Sequence, residues 1–66
     1  MDALRLAFPK GCQVRLSAMG KLVARHRREL RSGQVTGYGH DDGTVLVLWT
    51  GYGYSQRWHR DYVERV

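Results

Sequence analysis

The sequence predicts a small all-β domain: a five-stranded barrel with a long basic first loop and a helical turn before the last strand. Three observations predict it. Polar and apolar residues alternate over short stretches, the period of a strand with one buried face. Clusters of turn residues separate those stretches: Pro9-Lys10-Gly11, Asp42-Gly43 and the Gly-flanked residues 50–54. The chain has 66 residues, which allows a single domain, residues 1–66, with a marginal core that buries about 60% of the unfolded surface.

The elements follow in order. Residues 1–9 form an N-terminal arm in which Leu4, Leu6 and Phe8 alternate. Gln13-Val14-Arg15-Leu16-Ser17 is the first strand, with Val14 and Leu16 on one face. Gly33-Gln34-Val35-Thr36-Gly37-Tyr38-Gly39 is the second, and its glycines mark a sharp bend or a close backbone approach. His40-Asp41-Asp42-Gly43 closes a hairpin into Thr44-Val45-Leu46-Val47-Leu48-Trp49. That third strand is apolar on both faces, so both need cover. Trp49 belongs to the core, and the alternating arm is placed to cover Leu46 and Leu48. Ser55-Gln56-Arg57-Trp58 is the fourth strand, His59-Arg60-Asp61-Tyr62 one helical turn, and Val63-Glu64-Arg65-Val66 the last strand. This layout is that of an SH3-like β-barrel.

Residues 18–32 are the long first loop. They hold Lys21, Arg25, Arg27, Arg28 and Arg31 against Glu29 alone, so five cations less one anion account for +4 of the formal +5. Two readings of residues 21–30 stay open. One is a loop with a single helical turn. The other is a true helix whose Met19, Leu22, Val23, His26 and Leu30 make an apolar stripe, with Gly20 as a modest N-cap.

Composition narrows the function classes. The basic balance favours polyanionic partners, nucleic acid or an acidic protein surface. Cys12 is the one cysteine, which excludes an intrachain disulfide and suits a reducing compartment. No Cys/His quartet with zinc spacing occurs. The N-terminus lacks the apolar run of a signal peptide, and no apolar run is long enough to span a membrane, so a cytoplasmic protein is expected.

Candidates for catalysis are few. Cys12 has no motif around it, and a free cysteine is most often a small buried hydrophobe. His40-Asp41-Asp42 reads as turn chemistry rather than a metal site. His59 has no acid–base partner at a recognisable spacing, and capping a helical turn or filling the core edge is the simpler role. No phosphate loop, dinucleotide fingerprint or carboxylate pair is present. The chain is therefore expected to be no enzyme and to need no cofactor or metal. A binding role has more material. Lys21, Arg25, Arg27, Arg28 and Arg31 can meet phosphates, while Tyr52 and Tyr54, in a turn where burying both is difficult, can stack on bases.

Resemblances add to this reading. Lys10-Gly11-Cys12-Gln13-Val14-Arg15-Leu16, the 33–38 segment and Val45-Leu46-Val47-Leu48-Trp49 resemble the opening of KOW-type SH3-like barrels. That resemblance implies a module associated with nucleic acid, ribosome or polymerase, though the loop here is longer and more basic. Gly11 to Ser17, Val45, Val47, Trp49 and the His59, Arg60, Tyr62, Glu64 ending are similar to small uncharacterised SH3-like proteins of phages and bacteria. Val14-Arg15, the 33–38 segment and Val63-Glu64-Arg65-Val66 also resemble the type II plasmid-borne dihydrofolate reductases. Those are homotetramers with a pore lined by a Val-Gln-Ile-Tyr segment. Here that segment is Ser55-Gln56-Arg57-Trp58, so Gln56 and Trp58 are the implied pore residues. Four copies of Arg57 near an axis would repel unless they faced outward.

The expectation is thus a non-enzymatic module for nucleic acid or a nucleic-acid-associated complex. A protein-binding adaptor, or a phage-encoded inhibitor of a host protein, is the second reading. A tetrameric reductase is the third; that resemblance implies a homo-oligomer, and the oligomeric state separates it from the two binding readings.

Overall fold

The computed structural model describes residues 3–66. It is built on one antiparallel sheet of five strands in the order β4-β3-β2-β1-β5. The strands are β1 (Gln13–Leu16), β2 (Gly33–Tyr38), β3 (Thr44–Trp49), β4 (Gln56–His59) and β5 (Val63–Arg65). Two short helices accompany them, α1 (Ala3–Ala7) and α2 (Ala18–Val23), and a 3-10 turn (Arg60–Tyr62) joins β4 to β5. The sheet is open: among the described residues no ladder joins its edges β4 and β5. The structure is mostly β with the five expected strands, and its sheet is not closed into a barrel.

Strand alternation builds the core. Val14, Leu16, Val35, Val45, Val47, Trp49 and Val63 all turn inward and are buried, as period-2 geometry requires. Trp49 has no exposed surface and meets Trp58 edge-on, with ring centroids 5.5 Å apart. The alternation along β3 leaves Leu46 and Leu48 half-buried on the other side. The pairing of β2 with β3 slips between Val35 and Gly37. This irregularity is the bend that the glycine-rich second strand announces.

Turn chemistry agrees with the sequence. The Cys12 amide donates to the Pro9 carbonyl at 3.0 Å and the Tyr52 amide to the Trp49 carbonyl at 2.9 Å. Gly11 (φ 94°) and Gly51 (φ 92°) sit at the third position of these turns. A type II turn requires positive φ there, and glycine adopts it without strain. In the β2–β3 hairpin Asp41 Oδ1 accepts from the Gly43 amide at 3.1 Å, an Asx turn. His59 Nδ1 accepts from the Asp61 amide at 3.1 Å and caps the 3-10 turn.

Two expectations need correction. The N-terminal arm is helical over Ala3–Ala7, so Leu4 and Phe8 lie one turn apart and both enter the core, while Leu6 is 63% exposed. A period of 3.6 brings i and i+4 together, where alternation would have aligned all three leucine and phenylalanine side chains. The Tyr38 hydroxyl fastens this arm by donating to the Phe8 carbonyl at 2.8 Å.

The second correction concerns the basic segment. Its helix starts earlier and is shorter than a helix over 21–30, and Ser17 rather than Gly20 is the N-cap: Ser17 Oγ accepts from the Gly20 amide. Of the apolar stripe only Leu30 is buried. Met19, Leu22 and Val23 are exposed, while Gly20 and Ala24 face inward. The reason is steric. A Cβ on Gly20 would collide with the Tyr62 carbonyl oxygen, so only glycine lets this side of α2 approach the 3-10 turn. Close backbone approach, rather than apolar bulk, decides which face is buried.

Among the described residues no helix is long and apolar enough to cross a membrane.

Candidate anion-binding groove

The basic segment is pinned at both ends and raised in the middle. Ser17 anchors its start: its amide donates to the Tyr62 carbonyl at 2.9 Å and its hydroxyl to the Asp61 carbonyl at 2.6 Å. Buried Ala24 and Leu30 hold the rest to the core. Between them a chain of short turns carries the backbone, with Arg27 N to Ala24 O at 2.9 Å and Leu30 N to Arg27 O at 3.2 Å. Two apolar anchors so close in sequence force the intervening charged side chains to the surface.

The result is an open groove of about 510 Å³. Leu16, Ala24 and Leu30 are its apolar lining, and Arg15, Lys21, Arg25, Arg27, Arg28 and Arg31 are its charged lining. Among the described residues no carboxylate lines it. All five cations singled out from the sequence therefore come together, although they are scattered along the segment. Arg15 is the sixth, and the sequence reading passed it over. Its signal was the alternation of β1, which turns it away from Val14.

The six cations are unequal. Arg15 Nε pairs with Glu64 Oε2 at 2.7 Å across the β1–β5 ladder. Arg27 Nη2 donates to the Tyr52 hydroxyl oxygen at 2.7 Å, and its Nε lies 3.4 Å from Glu29 Oε2. The Tyr52 hydroxyl in turn donates to Glu29 Oε2 at 2.9 Å. Among the described residues Lys21, Arg25, Arg28 and Arg31 have no side-chain hydrogen bond or ion pair. Four cations thus share one groove with no internal anion between them. Like charges this close repel one another.

Two pKa shifts belong to this region. The Tyr52 hydroxyl, chiefly, raises the Arg27 guanidinium further above its ordinary range, with Glu29 adding to it. Glu29's own backbone amide, then the Tyr52 hydroxyl, then Arg27 hold its carboxyl below its ordinary range. Both groups are charged at neutral pH.

The two candidate aromatics divide. Tyr54 is 65% exposed, and Tyr52 is half-buried with its hydroxyl engaged. Their rings meet edge-on at 5.9 Å. Because Arg27 touches Tyr52, the aromatic pair is continuous with the groove wall. Gln56 and Trp58, the implied pore residues, stand elsewhere, on the edge strand β4. Trp58 Nε1 donates to Gln56 Oε1 at 3.0 Å, so each already occupies the other. Arg57 between them is exposed.

Cys12 is half-buried against the core. Among the described residues no three His, Cys, Asp or Glu side chains gather as a metal-binding group.

No protein-family model, curated protein or solved structure matches this chain.

Proposed function

We propose that this chain is a non-enzymatic, SH3-like binding module for nucleic acid, using the basic groove for phosphates and the Tyr52–Tyr54 turn for bases. The single observation that carries it is the groove itself: among the described residues six cations line it, no carboxylate does, and four of the six lack a partner. The groove borders an exposed tyrosine, which suits single strands, whose unstacked bases are free to lie on an aromatic ring. The strand order, with a 3-10 turn before the last strand, supports the SH3-like assignment. The reading invokes no cofactor.

A second reading draws on a different observation. Met19, Leu22 and Val23 leave an exposed apolar side on α2, which favours a protein partner.

The test is a titration of fluorescent single-stranded and duplex oligonucleotides with the wild type and with a variant carrying Lys21→Gln, Arg25→Gln, Arg28→Gln and Arg31→Gln. The wild type binds the single strand, and the neutralised variant loses at least tenfold in affinity. No binding by the wild type at low salt, at roughly 100 µM protein and thus at the weak end of non-specific binding, refutes the reading.

A further inference from the structure

Glu29 is the one acid in a basic stretch, and it closes a ring with Arg27 and Tyr52. Its Oε2 takes the Tyr52 hydroxyl at 2.9 Å and Arg27 Nε at 3.4 Å, while Arg27 Nη2 donates to the Tyr52 oxygen at 2.7 Å. Glu29 is 54% exposed, and exposed ion pairs contribute little to folding. Stability therefore gives little reason for this ring.

Recognition gives a better one. A carboxylate and a phosphodiester each offer two anionic oxygens, and both suit a guanidinium fork and a hydroxyl donor. Arg27 lies on the groove wall and Tyr52 beside Tyr54. The position that Glu29 oxygen occupies is thus the junction between the phosphate groove and the aromatic turn. A strand running from one to the other places a phosphate near this junction.

We infer that Glu29 is an internal competitor for the ligand: it holds Arg27 and Tyr52 in the free protein, and a backbone phosphate displaces it on binding. This rests on the nucleic-acid reading of the groove. The exchange is close to balanced. One anion leaves Arg27 as another arrives, and the displaced carboxylate moves into water, where it is well solvated. Glu29 is ionised at neutral pH, with its carboxyl held low by its own amide, Tyr52 and Arg27. The competitor is a charged anion, as the comparison with phosphate demands. The free protein presents four unpartnered cations, and the bound protein recruits Arg27 as a fifth. Anions too weak to displace Glu29 leave Arg27 and Tyr52 where they are, so the device selects for ligands that engage both parts of the surface.

The experiment measures binding of a fluorescent oligouridylate and of inorganic tripolyphosphate to the wild type, to Glu29→Gln and to Asp42→Asn. Asp42 is an exposed residue of the β2–β3 hairpin, so its variant makes the same charge change away from the groove. Glu29→Gln should tighten oligouridylate binding roughly fivefold. The slope of log affinity against log salt should stay the same, because the wild type also brings Arg27 onto a phosphate once Glu29 is displaced. Asp42→Asn should not tighten binding. An unchanged or weakened Glu29→Gln complex overturns the inference, because Glu29 then positions Arg27 and does not compete for it. If Glu29→Gln tightens tripolyphosphate while oligouridylate binds neither protein, the nucleic-acid reading falls and competition with phosphate stands. If neither probe binds either protein, both fall.

Discussion

Trp49 and Gly20 show how differently single residues record their roles. Trp49 is wholly buried among valines, and its place at the end of an apolar strand made that legible. Trp49→Ala should cost about 3–5 kcal/mol in chemical denaturation, enough to unfold so small a domain. Among the described residues its indole N–H has no hydrogen-bond partner, so Trp49→Phe breaks no bond to them and should retain most of the stability. A Trp49→Ala protein as stable as the wild type would place Trp49 outside the core. Gly20 carried no such signal. A glycine within a basic stretch says nothing about the carbonyl that lies across from it, and here that carbonyl belongs to Tyr62. Gly20→Ala should destabilise by about 1–3 kcal/mol, the usual penalty of overpacking. Gly53→Ala, which meets nothing nearby, should stay within about 0.5 kcal/mol of the wild type. Equal effects of the two would contradict the packing of α2.

Among the elements, strands were the more legible because burial of one face imposes its period directly on the sequence. β1, β2, β3 and β4 all fall close to where alternation puts them. Both helices were harder, for opposite reasons. α1 is a single turn or so, too short for its period to stand out from alternation. α2 has an apolar side that faces solvent, so hydrophobic spacing pointed to the wrong surface. Its stability comes from its ends. Ser17→Ala removes both the cap on Gly20 and the bond to the Asp61 carbonyl, and should cost about 1 kcal/mol. Leu22→Ser, at an exposed position, should leave the melting temperature nearly unchanged. The β2–β3 hairpin adds a pH dependence. The Thr44 hydroxyl and the Gly43 amide hold the Asp41 carboxyl below its ordinary value of 3.8. Because the folded value is the lower one, its stabilisation is complete above that ordinary value and fades as pH falls through the folded one. Asp41→Asn should flatten acid unfolding in that window. Identical acid profiles for the two proteins would deny the turn this role.

At the scale of the molecule, the chain separates into a sheet that holds and a segment that is held out. The sheet and α1 supply nearly all of the core, while residues 18–32 add only a few anchors and carry most of the net charge. Composition already located that charge. It did not show that the five cations converge on one groove, that Arg15 joins them from β1, or that Glu29 and Tyr52 retain Arg27. Arg15 and Tyr52 are distant in sequence from the basic segment, and no local period encodes their contacts with it. The account's central claim is that four unpartnered cations in this groove meet the phosphates of a nucleic-acid strand. The most direct test is the slope of log affinity against log salt for a single-stranded oligonucleotide. Four phosphate contacts, or five once Arg27 is recruited, predict a slope of about −3 to −3.5. A slope near zero, or no binding at low salt, would contradict the claim.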